Sequence, residues 1–438
     1  MTLLRIVTVL AVAGGAAASR AEVWTVDAAV NTALRQNPDV QSARHRIEAA
    51  SAMVKQADSV WLPQVFVTGS YTQSNSAMNG LTAALNQRNF SFDLNFNRPG
   101  WVDDLNLTGT AVYNLYNGGQ PTARRAAARA GTRAAEQELR AVQQQLAKEV
   151  VKVMLTLHKA REGVAALEAG VKVYDASVAN ARLRFEAGQM LKADLLSLEV
   201  QTARTKEQLF SARQGAALAA RTFTFVLGGD PTSEPVELAA NDPALSGLIA
   251  PDVSDFSQRP ELLGLQERLR AAEALVDAAR GGNRPNVNAY VSAQYDQGWQ
   301  YARHADSLQG GLSVELSVFD GGRTNAKIRQ ATAELAQVKA LLRKTTLGIG
   351  LEVEQARLAL ATARERAAVT AGAVAQAEES AALSRARFEK GALLAVELIG
   401  AESRLIEMRL GQTLAAADER IAVIELRRAL GLPTTAKP

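Results

Sequence analysis

The sequence contains no cysteine among its 438 residues. Disulfides, thiolate metal ligands, a cysteine nucleophile and a lipid attached to an N-terminal cysteine are therefore excluded. Aromatic residues make up only 5% of the chain, although hydrophobic residues make up 47%. Alanine supplies much of the apolar fraction, and this composition favours long helices that pack closely.

Long apolar runs are also scarce, and no uncharged run reaches the length of a transmembrane helix. A run of 13 apolar residues ends at Ala18, and small residues follow at Ser19 and Ala21. This pattern predicts a secretory signal peptide at residues 1–21. Its removal takes away two arginines and lowers the formal charge from +4 to +2. With no basic run elsewhere, the sequence predicts no nucleic-acid partner.

Motifs for catalysis are missing as well. The three histidines, His45, His158 and His304, are far apart and have no ligand-like spacing. The chain has no phosphate loop, no dinucleotide fingerprint and no recognisable nucleophile motif. The sequence therefore predicts a protein without a cofactor or metal that is not an enzyme.

The chain consists of two copies of one pattern. Residues 115–119 (LYNGG) recur at 318–322 (VFDGG), and residues 184–188 (RFEAG) recur at 387–391 (RFEKG), both at an offset of 203. Upstream of the glycine pairs the offset is 222, so the first copy carries 19 extra residues within about 72–104. The asparagine-rich composition there predicts an enlarged loop.

Part of this loop is predicted to extend a hairpin. Four apolar residues alternate with polar ones in it, namely Phe90, Phe92, Leu94 and Phe96.

Each copy is predicted to contain a helix, two strands, the glycine pair, a long helix, a turn and a second helix. The first repeat is expected at 22–228, with strands at about 64–71 and 105–116 and coiled-coil helices at about 121–186 and 190–227. The second is expected at 258–432, with strands at about 286–295 and 308–319 and coiled-coil helices at about 323–389 and 393–430. Single helices are predicted before the strands, at about 25–59 and 255–280. A proline-rich connector of little regular structure at 229–257 separates the repeats, and 433–438 form a short tail.

The four strands alternate apolar and polar residues. Each is about ten residues long, which a tilted strand needs to cross an outer membrane, and aromatic residues lie near the strand ends. A soluble antiparallel sheet with one wet face would show the same alternation. Four strands cannot close a barrel, which needs about eight, and an open edge in lipid would leave backbone groups unpaired. If these strands span a membrane, several chains must therefore share one barrel.

Heptad stripes run along the long helices. Apolar residues recur at every seventh position from Val150 to Phe185 and from Leu139 to Ala181, and the first stripe returns from Val353 to Phe388. These stripes are spaced as the two positions of a coiled-coil seam require. A helix of about 65 residues would be about 100 Å long.

The double strand-to-helix junction, the double Phe-Glu-x-Gly turn and the duplicated layout together resemble the TolC-like outer membrane efflux protein family. This resemblance implies a mainly α fold with a β-barrel portion, and a homotrimer. Twelve strands would form one barrel in outer-membrane lipid, continuing into a long α-helical coiled-coil tunnel in the periplasm. The implied function is a passive exit duct of a tripartite efflux or type I secretion system, for small molecules or polypeptides. Its implied partners are a periplasmic adaptor (membrane fusion) protein and an inner-membrane transporter. The alternative is a soluble periplasmic coiled-coil scaffold.

The resemblance also implies where the functional residues lie. The periplasmic entrance would lie at the helix turns, where Glu397 occupies the family's first acidic position and Asp194 is its counterpart. The turns that contact the adaptor would contain Phe185, Gly188, Phe388 and Gly391, and the strand–helix junctions Gly118, Gly119, Gly321 and Gly322. Gly400, Leu393 and Phe388 depart from the family's acidic, basic and tyrosine positions.

Three Glu397 side chains in one trimer would form a ring that favours cations. An ordinary solvated glutamate is the alternative for this residue.

Overall fold

The computed structural model describes residues 23–433, except 94, 96, 233–235, 240–241, 243–248 and 301. The expected signal peptide and most of the tail lie outside these residues. In chain order the elements are β1 (Val23–Trp24), α1 (Val26–Gln36), α2 (Pro38–Asp58), β2 (Gln64–Ser74), α3 (Ala77–Asn86), β3 (Val102–Asn117), α4 (Gln120–Glu186), α5 (Lys192–Leu227), β4 (Glu237–Leu238), α6 (Pro260–Arg280), β5 (Asn286–Gly298), β6 (Arg303–Glu315), α7 (Arg323–Glu389) and α8 (Ala395–Ala429). Within the described ranges, no helix is long and apolar enough to cross a membrane.

The chain divides into two compact units. The helical unit contains described residues up to 38, 143–253 and 353–433, and the sheet unit contains 39–142 and 254–352. Both long helices, α4 and α7, have 67 residues and contribute to both units. Each unit therefore draws its residues from both sequence repeats.

In the helical unit, the predicted heptad positions form the core. No more than 3% of the surface is exposed at five of these positions, namely Leu157, Tyr174 and Ala181 of α4 and Val353 and Ala381 of α7. The connector is not entirely irregular, because β4 pairs in parallel with β1 at the start of the described chain.

The single helix predicted at about 25–59 was wrong, since α1 and α2 are separate. Asn37 between them has an extended backbone, with φ −65° and ψ 130°. The ring of a proline disfavours the helical conformation at the preceding residue, and Pro38 directly follows Asn37. The Asn37 side chain donates a hydrogen bond to the carbonyl oxygen of Val226 at 3.0 Å, which attaches this break to the end of α5.

The sheet unit contains one antiparallel sheet in the order β2–β3–β5–β6. Residues paired across an antiparallel ladder lie on the same face. Val67 pairs with Gly109, Ala111 with Val291, and Ala289 with Leu312, so the alternating apolar residues of all four strands share one face. This apolar face is open, with Val67 exposed to 78% and Leu312 to 70%.

The opposite side of the sheet is the polar face. On the two central strands it includes Asn106, Thr108, Thr110, Ser292, Gln294 and Asp296. They bond across the strands: Asn106 donates to Asp296 at 2.9 Å, and the hydroxyls of Thr110 and Ser292 are 3.2 Å apart. The sheet thus carries a hydrogen-bonded polar network on one side and exposed aliphatic side chains on the other.

The fourth strand was predicted at 308–319, and both limits were wrong. The alternation continues to Val318, but β6 ends at Glu315, which pairs with Asn286 at the start of β5. Beyond that pair β5 offers no ladder partner. Asp320 instead begins the junction to α7, where its carboxylate accepts hydrogen bonds from the backbone N–H groups of Gly322 and Thr324 at 3.0 and 2.8 Å.

The enlarged loop contains the helix α3. The hairpin extends into the loop as far as the pair Ser74–Val102, but the alternating residues Phe90 and Phe92 do not contribute to it. Phe90 and Phe92 lie outside any strand, with their rings in edge contact at 5.3 Å. Leu94 and Phe96 lie outside the described residues. Alternation produces a strand only where a neighbouring strand completes the hydrogen bonds, and the ladder between β2 and β3 stops at the pair Ser74–Val102.

Candidate functional site

The two Phe-Glu-x-Gly turns have the same backbone structure. Gly188 and Gly391 have φ of 72° and 75°, the left-handed conformation that glycine adopts without steric cost. The N–H of each glycine donates to the carbonyl of the preceding phenylalanine, at 2.9 Å for Phe185 and 3.0 Å for Phe388. A second bond, from the following residue to an arginine carbonyl, completes the same helix C-terminal motif in both copies.

The two phenylalanines differ in their surroundings. Phe185 is 37% exposed, whereas Phe388 is 2% exposed. Phe388 lies in an apolar cluster to which all four helices of the two turns contribute, with Ala181, Leu195, Leu198, Ala395 and Leu398. Burial of a phenylalanine contributes about 1.5–3 kcal/mol. The two turns therefore pack together around the second phenylalanine.

Arg184 connects the first turn to the second. Its Nη1 donates a hydrogen bond to the carbonyl oxygen of Phe388 at 2.8 Å, and its guanidinium carbon lies 5.4 Å from the centre of the Phe388 ring. This carbonyl belongs to the last turn of α7, where a positive charge is favourable. Arg387, the counterpart of Arg184 in the second copy, is exposed.

Asp194 and Glu397 lie in the first turns of α5 and α8. The residues before these helices, Leu191 and Leu394, provide no side-chain cap. The carboxylates of Asp194 and Glu397 supply the negative charge that is favourable near a helix N-terminus. Both carboxylates line a groove of about 470 Å³ between the turns.

This groove is lined by Arg184, Gln189, Met190, Leu191, Asp194, Phe388, Gly391, Ala392, Leu393, Leu394, Ala395 and Glu397. The structure thus brings together four of the predicted residues, Asp194, Glu397, Phe388 and Gly391. Phe185 and Gly188 lie outside this lining.

Two residues that depart from the family pattern have other contacts. Leu393 packs against the apolar cluster. A Cβ at Gly400 would lie 3.8 Å from the guanidinium of Arg404, so a positive group lies beside the position of the family's second acid.

A buried polar network beside the cluster was not predicted. The Tyr174 hydroxyl donates to the Ile399 carbonyl at 3.2 Å and lies 3.0 Å from the Ser403 Oγ. Glu402 is 2% exposed, and its Oε1 lies 2.6 Å from the Nε of Arg385. Burial raises the pKa of Glu402, although Arg385 and Arg409 act in the opposite direction. The heptad position of Tyr174 was the available signal, because it places a hydroxyl in an apolar seam.

The junction glycines belong to the sheet unit. Gly118, Gly119, Gly321 and Gly322 all have positive φ, between 58° and 83°. The Gly118 carbonyl accepts a hydrogen bond from Arg284 at 3.2 Å, and a Cβ at Gly118 would overlap the carbonyl of Gly281. The first junction therefore needs glycine for both conformation and space.

Comparison with protein families finds one match over most of the chain. The family described as "Outer membrane efflux protein" matches residues 29–229 and 256–432, one match for each repeat. The protein CyaE of Bordetella pertussis is 26% identical over 92% of this chain and 83% of its own length. The outer membrane efflux protein BepC of Brucella suis is 24% identical over 94% of this chain and 86% of its own length.

Solved structures share the fold at low identity. A crystal structure of CusC, a protein that forms a transmembrane channel, superposes on this chain with a TM-score of 0.79 at 19% identity. The superposition covers 93% of this chain and 92% of that chain. The outer membrane protein VceC of Vibrio cholerae superposes with a TM-score of 0.76 at 19% identity, over 93% and 96%.

Proposed function

The chain belongs to the outer membrane efflux protein family and lies in the outer membrane, and on that premise we propose that three copies form one passive exit duct. Their twelve strands would make a shared barrel, and their helices a periplasmic tunnel. Small molecules or polypeptides would pass through it, driven by an inner-membrane transporter that a periplasmic adaptor connects to the duct.

The two faces of the sheet carry this proposal. The apolar face exposes side chains such as Leu308 and Val314, at 77% and 70%. A soluble sheet would have to cover such a surface, whereas lipid solvates it. The hydrogen-bonded polar face suits a water-filled lumen. Because β2 and β6 are the outer strands of the sheet, neighbouring chains can complete the ladder.

The groove between the two turns supports a proposal for the periplasmic end of the duct. Asp194 and Glu397 would present negative charge to the cargo entering the tunnel, and three copies of each would form two acidic rings. The two glycine turns would contact the adaptor, because their backbones allow close approach.

The native mass of the detergent-extracted protein tests the proposed function. We expect the outer-membrane fraction to yield a trimer of chains of about 46 kDa, close to the 46.7 kDa of the full sequence. A water-soluble monomer or dimer would contradict the shared barrel and favour a periplasmic scaffold.

A further inference from the structure

Within the described residues, the helix α3 of the first repeat has no counterpart in the second. The corresponding hairpin of the second repeat passes from β5 to β6 through residues 299–302. α3 adjoins the start of β3, and α4 follows the other end of that strand. The helix therefore lies at the strand ends opposite to those that continue into the long helices.

α3 lies on the polar face of the sheet. Asp104 shares that face with Asn106, and Gly298 shares it with Asp296. The Gln87 side chain follows α3 directly and is bonded to Asp104. A Cβ at Gly298 would overlap that glutamine side chain. At its other end the helix packs through Gly80, where a Cβ would lie 2.7 Å from Pro99 and 3.7 Å from Val102.

Gln87 and Arg88 form an anchor that ties the end of α3 to the sheet. The Gln87 side chain is fully buried, and its Nε2 donates to the Asp103 carbonyl and to Oδ1 of Asp104, both at 3.0 Å. Arg88 donates to the Asp306 carbonyl of β6 at 2.9 Å. Two consecutive residues thus contact β3, β5 and β6.

The backbone of the anchor is held in an uncommon conformation. Arg88 has φ of 54°, in the left-handed region that residues other than glycine rarely adopt. It ends α3 with a hydrogen bond from the Asn89 N–H to the Ala84 carbonyl at 2.7 Å. This conformation costs free energy and persists only where the surrounding contacts hold it, here the hydrogen bonds of Gln87 and Arg88 to the sheet.

We propose that α3 is an inward-packed constriction at the outer mouth of the duct, held by the Gln87–Arg88 anchor. This inference rests on the proposed function, because the polar face lines a lumen only if the apolar face meets lipid. The constriction sets the size of what leaves the duct, independently of the periplasmic entrance. Release of the anchor lets α3 leave the lumen and widens the mouth.

Accessibility of a lumenal thiol tests the constriction. Because the chain has no cysteine, Gln309→Cys provides a single label site on the polar face, at an exposed position paired with Ser292. Intact cells that express the full-length protein are treated from outside with small and with polymer-linked maleimides. The periplasmic entrance does not affect this measurement, because the reagents arrive through the outer mouth.

Gln87→Glu removes the hydrogen-bond donor while it keeps the shape of the side chain. The new carboxylate would face the Asp103 carbonyl and the Asp104 carboxylate, both of which are acceptors. We expect the polymer-linked reagent to react about tenfold faster or more in this variant, with the small reagent unchanged. Adding Asp104→Asn to the Gln87→Glu chain restores one hydrogen bond with the roles reversed, because the new amide donates to the new carboxylate. This double variant should return the rate of the polymer-linked reagent towards that of the parent.

Two further variants complete the test. Thr82→Ala changes an exposed position of α3 and should leave both rates as in the parent. Replacement of residues 75–101 by 299–302 removes α3, matches the hairpin of the second repeat and should give the fastest reaction with the large reagent. Equal large-reagent rates in the parent, Gln87→Glu and this shortened chain would overturn the constriction. A chain that the small reagent never labels and that fractionates as a soluble monomer would instead overturn the proposed function.

Discussion

At the scale of single residues, the groove between the turns combines the carboxylates of Asp194 and Glu397 with Arg184, which is hydrogen-bonded to the Phe388 carbonyl. Glu397 lines the groove, and in the proposed duct its charge would face passing ions. Glu397→Gln should lower the ratio of cation to anion permeability of the channel in planar bilayers by about twofold or more. Glu407→Gln, at an exposed position further along α8, is the matched control and should leave the ratio unchanged. An unaltered ratio in the Glu397 variant would mean that this glutamate is an ordinary surface residue.

Arg184 stabilises the contact between the two turns. Arg184→Ala removes its bond to the Phe388 carbonyl and the contact with the ring, and should destabilise this contact by about 1–2 kcal/mol. Hydrogen exchange of the amides between residues 388 and 395 should become about tenfold faster. Arg387→Ala is the control, since the exposed counterpart should have little effect. Equal exchange in the two variants would show that Arg184 does not hold the turns together.

Glu402 links the stability of the helical unit to pH. Burial raises its folded-state pKa above 4.5, so the folded chain binds this proton more tightly than the unfolded chain. The resulting stabilisation is complete below the unfolded pKa and is lost as pH rises through the folded pKa. The unfolding midpoint of the wild type, measured relative to Glu402→Gln, should therefore fall as pH rises from about 4.5. The exposed Glu379→Gln should show no such trend, and a flat difference for Glu402→Gln would refute the linkage.

At the scale of elements, the two glycine turns share a conformation but differ in their surroundings. A Cβ at Gly188 would meet open space, whereas a Cβ at Gly391 would lie 3.0 Å from Nη2 of Arg184. Gly188→Ala should cost about 1–2 kcal/mol for the left-handed conformation alone. Gly391→Ala should cost more, because it also displaces Arg184.

Thermal unfolding of the detergent-solubilised protein measures this difference. Gly215→Ala, in the interior of α5 with nothing near its added Cβ, is the control and should stabilise by about 0.5–1 kcal/mol. If Gly188→Ala destabilises the protein as much as Gly391→Ala does, the contact between residue 391 and Arg184 does not contribute to stability.

The elements also show how far the sequence alone could lead. The repeat offset and the heptads predicted α4 at 121–186 and α7 at 323–389, within one residue of the observed limits. Those signals are local and periodic. α3 had no such period within its ten residues, and its place depends on hydrogen bonds from the Gln87 side chain to β3, which follows it in the chain. The end of β6 was predicted too late. The alternation continues to Val318, but β5 begins at Asn286, whose partner is Glu315.

The candidate site was predictable to a similar degree. The glycine turns could be located from the repeat, whereas Glu397 was located by the resemblance to the family and Asp194 as its counterpart in the first copy. That Phe388 is buried while Phe185 is exposed could not be predicted, because the two motifs are nearly identical in sequence. The asymmetry arises from packing among four helices, which no single copy of the motif contains.

At the scale of the whole molecule, the two faces of the sheet should respond oppositely to charge. Leu312→Arg places a charge on the apolar face, where lipid contact would cost about 2–4 kcal/mol near the middle of the membrane. Gln309→Arg places the same charge on the polar face, where water is available. We expect Leu312→Arg to reduce the trimer recovered from the outer membrane sharply, while Gln309→Arg leaves it near the parental amount. Equal recovery of the two variants would contradict a lipid-facing surface.

The outer strands β2 and β6 have a consequence for biogenesis. Each leaves a full row of backbone donors and acceptors at the edge of the sheet, and such edges pair indiscriminately with other strands. In the proposed trimer two edges stay unpaired until the third chain has joined, so assembly would depend steeply on the local concentration of newly secreted chains. Low expression would therefore lose a disproportionate share to degradation, and high expression would risk aggregation. A periplasmic chaperone that shields strand edges would widen the range in which ducts form.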